Sequence, residues 1–188
     1  MGCSSKSTAF EDHTCSQLIE EYMKLHAKKI ITLVSDGVNL EELYAMKNGF
    51  EAEYASVYLT SLQNGRKVRG IGRYGNEEWV HTDFPVELVL PSHYDAIAVP
   101  GGGLSVDLLR KDKKIQKLLC DFHAAGKPIL ISQDARILLY ESGIFPENIL
   151  VYRSDGEGMD QFVRDGSELL IEGSLFRGRR DGYLARIN

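Results

Sequence analysis

The stretch 94-YDAIAVPGGG-103 reads as a strand that Pro100 stops and three glycines release. Ala96 to Val99 is an unbroken apolar run, the pattern of a strand buried on both faces. The segment 104-LSVDLLRKDKKIQKLLCDFHAAG-126 follows at once. It is the clearest helical stretch of the chain, and Gly126 suits the position that closes it. Working outward, the same alternation recurs. Downstream, 127-KPILIS-132 is another buried strand, and 134-DARILLYESGIF-145 is a short helix ending near Gly143. Upstream, 30-IITLVS-35 is an apolar, β-branched strand broken by 36-DGVN-39. A helix over 40-LEELYAMKNGFEAE-53 follows, with Leu40, Leu43, Tyr44 and Met46 at helical spacing, and then the strand 54-YASVYLTSL-62. Asn64-Gly65 signals a hairpin turn. Residues 66–93 read as short strands and loops, and 149–152 and 160–172 as β-like segments with a turn at Asp165-Gly166. Strands alternating with helices imply an α/β fold, with a mostly parallel sheet and helices on both faces. The ligand crevice of such a sheet lies beyond the carboxyl ends of its strands. Three segments reach that edge: 36–42, 100–105 and 132–136.

Composition narrows the functional classes. The chain has 188 residues and a formal net charge of −5, with 22 Lys plus Arg against 27 Asp plus Glu. That balance argues against broad nucleic-acid binding, which needs a basic face. Apolar residues make up 43%, enough for a full core without staples. Cys3, Cys15 and Cys120 are an odd number, widely spaced and without a CxxC pair. A disulfide framework and a cysteine-rich zinc site are therefore excluded, and a reducing, cytoplasmic setting is the expectation. His13, His26, His81, His93 and His123 lie far apart, so no metal site is expected. No apolar run is long enough to span a bilayer, and no hydrophobic region marks a secretory signal. Residues 1–28 read as a polar leader plus an N-terminal helix, in which Leu18, Ile19, Tyr22, Met23 and Leu25 share one side behind Ser16 as cap. Residues 29–188 form the domain. The start MGCSSKS is similar to acylation signals, with Gly2 for myristate and Cys3 for palmitate, although Lys6 stands where Ser or Thr is wanted. Membrane association would depend on both acyl chains, since one alone binds marginally.

The chemistry sits at the strand ends. Gly101, Gly102 and Gly103 leave backbone N–H groups uncovered at a helix start, which suits an anion or oxyanion. The spacing is neither the dinucleotide GxGxxG nor a P-loop, and no cofactor is implied. The junction 129-ILISQDARILL-139 runs a strand directly into a helix, an elbow that can hold a side chain over the sheet. Its apex is Gln133, which can bind a ligand through its amide but has no nucleophile to offer. Asp134 is a candidate helix cap or acid, and Arg136 a candidate ligand contact. Ser132 precedes the apex and is expected to face away from it. Glu42 lies at the same edge, where it could activate a neighbour or simply favour a helix N-terminus. Helical geometry points Glu41 elsewhere.

Together these segments resemble the ThiJ/PfpI family of the class I glutamine amidotransferase-like superfamily. The resemblance runs from Lys29 to Gly143 and rests on the order of four pieces: IITLVSDGVNLEELYAMKNGFEAEYASVYL, YDAIAVPGGG, FHAAGKPILIS and ILLYESGIF. It implies a three-layer α/β/α sandwich of flavodoxin-like type and a homodimer. It places the family's active-site Glu on Glu42 and its oxyanion glycines on Gly101 and Gly102. The family's elbow reads Cys, often followed by His and Gly; here it reads Gln133, Asp134, Ala135 and Arg136. Cys120 sits among Leu118, Leu119 and Phe122 as a core residue, so it cannot substitute. The tail is shorter than the family pattern, lacking a helix before RDGSELL and a closing helix after it. Its cluster Arg177, Arg179 and Arg180 reads as a solvated tail.

Three functions follow as expectations. The first is a family member without the covalent chemistry, which binds a small metabolite or serves as a dimeric interaction module. The second is an enzyme of altered chemistry (lyase, hydratase or isomerase) with Glu42 and Asp134 as acid and base. The third is an acyl-anchored scaffold or signalling protein, resting on Gly2 and Cys3.

Overall fold

The computed structural model describes residues 25–62, 67–144, 149–153 and 158–172. Six strands form the main sheet: β1 (Lys29–Val34), β3 (Ser56–Ser61), β6 (Phe84–Pro85), β7 (Ala96–Val99), β8 (Ile129–Ser132) and β9 (Ile149–Tyr152). Their order is β6-β3-β1-β7-β8-β9, and every pairing is parallel. The helices are α1 (Leu40–Ala52), α2 (Gly103–Arg110), α3 (Lys113–Ala124), α4 (Ile137–Glu141) and α5 (Met159–Glu172).

Strand residues alternate between two cores, as the period of two requires. Ile31, Leu33, Ile97, Val99, Ile129 and Ile131 pack with Val106 and Leu109 of α2, Ile115, Leu119 and Phe122 of α3, and Leu138 of α4. Ile30, Ala96, Ala98, Leu130 and Leu150 pack on the opposite face with Met46 and Phe50 of α1 and Phe162, Val163, Leu169 and Leu170 of α5. Apolar layers on both faces are what make the strands read as unbroken hydrophobic runs. The result is the expected three-layer α/β/α sandwich.

A second sheet of three strands, in the order β2-β4-β5, joins β2 (Val38–Asn39), β4 (Lys67–Ile71) and β5 (Glu77–His81). Its inner residues Val38, Val68 and Val80 pack with Val34, Leu40, Leu43 and Leu59.

Four expectations are corrected. Asn64-Gly65 does not close a hairpin, because β3 and β4 lie in different sheets; residues 63–66 themselves fall outside the described set. The hairpin is β4–β5, antiparallel over five residue pairs, and it turns at Tyr74-Gly75 with Gly75 at φ +78°. Residues 160–172 are not β-like: they belong to α5, and Asp165-Gly166 is helical. The long helix divides at Lys111-Asp112, where the Asp112 carboxylate accepts from the Lys114 N–H (2.7 Å) and begins α3 afresh. Asp134 does not cap the helix after it; it opens a 3₁₀ turn (Asp134–Arg136) that carries no side-chain cap. The segments holding Ser16, Gly2, Cys3, Cys15, Arg177, Arg179 and Arg180 lie outside the described residues. No helix among the described residues is long and apolar enough to cross a membrane.

Candidate functional site

β1 pairs with β3 on one side and β7 on the other, so successive connections leave it in opposite directions. That reversal opens a crevice beyond the carboxyl ends of β1 and β7. Around it stand the β1–β2 loop, the glycine turn after β7 and the elbow after β8, the three segments read from the sequence.

The turn and the start of α1 lock together. Asn39 caps α1 by accepting from the Glu42 N–H (3.2 Å). The Asn39 N–H donates to the Gly101 carbonyl (2.9 Å), and the Gly101 N–H donates to Glu42 Oε2 (2.8 Å). Gly101 is thus held through both its backbone groups. Its amide is therefore engaged, where the resemblance had it open for an oxyanion. A Cβ on Gly101 would lie 2.7 Å from Glu42 Oε2 and 2.8 Å from Ser132 Oγ, so glycine is required by close approach. Gly102 sits at φ +117°, and a Cβ there would lie 2.3 Å from the Gly37 carbonyl oxygen. Only glycine adopts that angle readily. No side chain caps α2, and the N–H groups of its first turn have no intrahelical partners. Ser105 in that turn accepts from the Ser35 N–H (3.1 Å), pinning α2 to the end of β1.

Glu41 and Glu42 diverge as expected: Glu41 Oε1 accepts from the Arg73 N–H (2.6 Å) instead of facing the crevice. That bond holds the Glu41 carboxyl below its ordinary value.

The elbow departs from expectation. Gln133 has φ −55° and ψ −41°, an ordinary helical conformation, and its side chain is exposed. Its N–H donates to the Tyr152 carbonyl (2.9 Å), which ends the β8–β9 ladder. Asp134 is exposed, and no hydrogen bond or ion pair joins it to Glu42 among the described residues. Arg136 lies along its own helix, its guanidinium donating to Tyr140 Oη (2.8 Å) with Cζ 5.7 Å from that ring's centroid. Ser132, expected to face away from the apex, instead faces Gly101 and Glu42. It is 2% exposed, and its Oγ lies 2.8 Å from the point a Cβ on Gly101 would occupy. Strand alternation explains this: Leu130 and Ser132 share the face that α1 covers, and the strand ends before Gln133. Cys120, half-buried on α3, donates its S–H to the Ser142 carbonyl (3.5 Å). No cluster of three or more His, Cys, Asp or Glu that could hold a metal occurs among the described residues.

Architecture and crevice define a flavodoxin-like α/β protein whose site lies at the switch point of a parallel sheet. The chain belongs to the DJ-1/PfpI family, whose profile matches residues 28–149. It is 31% identical over 103 residues to Protein/nucleic acid deglycase 2 of Escherichia coli K12, covering 55% of this chain and 58% of that protein's length. It is 24% identical over 160 residues to Deglycase TK1284 of Thermococcus kodakarensis, covering 83% and 92%. Among solved structures, oxidised DJ-1 of Toxoplasma gondii superposes with a TM-score of 0.62 at 18% identity, over 80% of this chain and 98% of that one. A two-domain protein of Anabaena variabilis, with DJ-1/ThiJ/PfpI-like and ferritin-like domains, gives 0.68 at 17% identity, over 79% and 49%. These structural likenesses establish the fold.

Proposed function

We propose that this chain is a DJ-1/PfpI domain whose crevice binds a small polar metabolite without covalent catalysis. The relaxed helical backbone and amide side chain of Gln133 carry this reading. Covalent catalysis needs a thiol or hydroxyl presented at the elbow, and Gln133 supplies neither. The relatives carry deglycase names; this chain is read as lacking the nucleophile for such turnover.

What remains suits recognition. The first-turn N–H groups of α2 can donate to a carbonyl or carboxylate oxygen. Glu42 keeps one carboxylate oxygen for a ligand donor, since Oε2 is taken by Gly101. The Ser132 hydroxyl both donates and accepts. The ligand class that satisfies all three is a small carbonyl or carboxylate compound bearing a neighbouring hydroxyl or amine.

Heteronuclear NMR titration of the full chain with small hydroxy- and amino-carboxylates and dicarbonyls tests this. Shifts at Gly102, Gly103 and Ser132 are expected. Ser132→Ala and Glu42→Gln are expected to weaken binding about tenfold, the order of one hydrogen bond to a charged group. Peptide mapping after incubation with a dicarbonyl is expected to show no covalent adduct at Ser132 or Gln133, while Lys and Arg side chains are modified without catalysis. Turnover of a dicarbonyl or a glycated amine by the wild-type chain, reduced by Glu42→Gln, would sink the reading.

A further inference from the structure

The crevice has an apolar side, formed by the end of β9 and the start of α5. β8 and β9 run parallel, with Leu130 opposite Leu150 and Ser132 opposite Tyr152. Leu130 and Leu150 both enter the core that α1 and α5 cover. Two residues further on the alternation returns to that face, so Ser132 and Tyr152 are neighbours on it at the carboxyl ends of their strands. The Tyr152 ring meets Phe162 edge to face, with centroids 5.7 Å apart, and Phe162 meets Phe50 of α1 in the same way at 6.3 Å. This row fixes the plane of the Tyr152 ring. Met159 lies three residues before Phe162, which sets both on one side of α5. Phe162 is buried, whereas Tyr152 and Met159 are half-buried and pack at the margin of the core. Ligand sites pair an apolar, aromatic lining with a few fixed polar groups. Glu42 and Ser132 are such polar groups, and Tyr152 with Met159 supplies the lining.

We propose that Tyr152 and Met159 set the specificity of the crevice by receiving an apolar substituent of its ligand. The strand order β7-β8-β9 puts the glycine turn, Ser132 and Tyr152 in one row. A carboxylate at the start of α2 and a hydroxyl or amine at Ser132 leave the remaining substituent of the same carbon directed toward Tyr152. The row spans two inter-strand steps of about 4.8 Å each. Lactate reaches across one step, and 3-phenyllactate reaches across both. The ligand class, given the crevice reading on which this rests, is a 2-hydroxy- or 2-amino-carboxylate with a branched aliphatic or aromatic side chain. The polar groups orient the head of such a molecule, and burial of its side chain supplies most of the difference in affinity between members of the class.

Calorimetric titration of the full chain with lactate, 2-hydroxybutyrate, 2-hydroxy-4-methylpentanoate and 3-phenyllactate tests this. Affinity is expected to rise along the series, by about fourfold for each methylene buried, with 3-phenyllactate at least about tenfold above lactate. Tyr152→Ala and Met159→Ser are each expected to lower the affinity for 3-phenyllactate more than that for lactate, so that the ratio of the two falls toward one. Tyr152→Phe keeps the ring and is expected to keep the ratio. A general loss of folded protein lowers both affinities alike and leaves the ratio unmoved, so a damaged fold is told apart from a lost contact. Equal affinity of the wild-type chain for all members overturns the specificity proposal and leaves the crevice reading standing. A rise along the series that neither Tyr152→Ala nor Met159→Ser diminishes also overturns it, because the substituent then lies elsewhere. Binding of no member removes the crevice reading and this inference with it.

Discussion

Gly101 occupies a point that no larger residue can fill without moving Glu42 or Ser132. Gly101→Ala is expected to cost about 1–3 kcal/mol of stability in chemical denaturation, because the carboxylate and the hydroxyl can swing aside. Gly102→Ala is expected to cost more, about 3 kcal/mol or above, since it meets a backbone carbonyl and needs φ +117°. Equal costs for the two variants would contradict this account of the turn. At this scale the sequence was partly legible. Glu42 and the two glycines were readable from residue type and position, and the structure brings them together. The sequence turns Ser132 away from the crevice by placing the strand's last outward residue at Gln133. Its helical backbone ends the alternation one position earlier, which leaves Ser132 on the Glu42 side. The hydrogen bond from Gly101 to Glu42 spans 59 positions in sequence, and no local pattern announces it.

Helices α1 and α5 meet through two reciprocal contacts. Gly49 lies under Val163, where a Cβ would come within 2.5 Å of Cγ2, and Gly166 lies under Phe50, where a Cβ would come within 2.8 Å of the ring. Alanine in a helix interior ordinarily gains roughly 1 kcal/mol over glycine. Here the close packing reverses the sign. Gly49→Ala and Gly166→Ala are each expected to lose about 1 kcal/mol net in urea titrations, overpacking outweighing propensity. Trimming Val163 to Ala in the Gly49→Ala background is expected to cost less than in the wild type, a coupling that a double-mutant cycle reads directly. A stabilised Gly166→Ala variant would show that the two helices slide apart freely. The same contact explains why α5 does not read as a helix from its sequence. Phe162, Val163, Gly166, Leu169 and Leu170 form one helical stripe, in which glycine is the small member over an aromatic ring. The Asp165-Gly166 pair carries the stronger local signal, that of a turn. Strands β1, β7 and β8 are legible because burial on both faces forces continuous apolar runs, whereas β3, exposed at its start and polar at its end, is marked by its β-branched and aromatic residues. β2 and β6, two residues each, carry no such signal.

The two sheets act as one body because the β1–β2 loop and α1 are fastened to the hairpin. Asp36 Oδ1 accepts from the Arg69 N–H (2.8 Å), the Gly37 N–H donates to the Arg69 carbonyl (2.6 Å), and Glu41 holds Arg73. Tyr44 Oη completes the set by donating to Glu78, and that bond pushes the phenol pKa up to about 12. A phenol whose pKa is raised by folding favours the protonated, folded state. Its contribution is fully present below the unfolded value of about 10 and is lost as the pH climbs through about 12. Tyr44→Phe is therefore expected to flatten the alkaline fall in stability over that window. An unchanged slope in denaturation midpoints across the range would remove Tyr44 as the cause. The carboxamide at position 133 has a consequence for the whole molecule under oxidative stress. Peroxide climbs from thiolate to sulfenic and sulfinic acid, and a carboxamide offers it no first rung. The crevice proposed here to bind its ligand through Glu42 and Ser132 keeps its donors and its charge through such exposure. On that proposal, occupancy follows the concentration of the ligand and not the redox state of the surroundings.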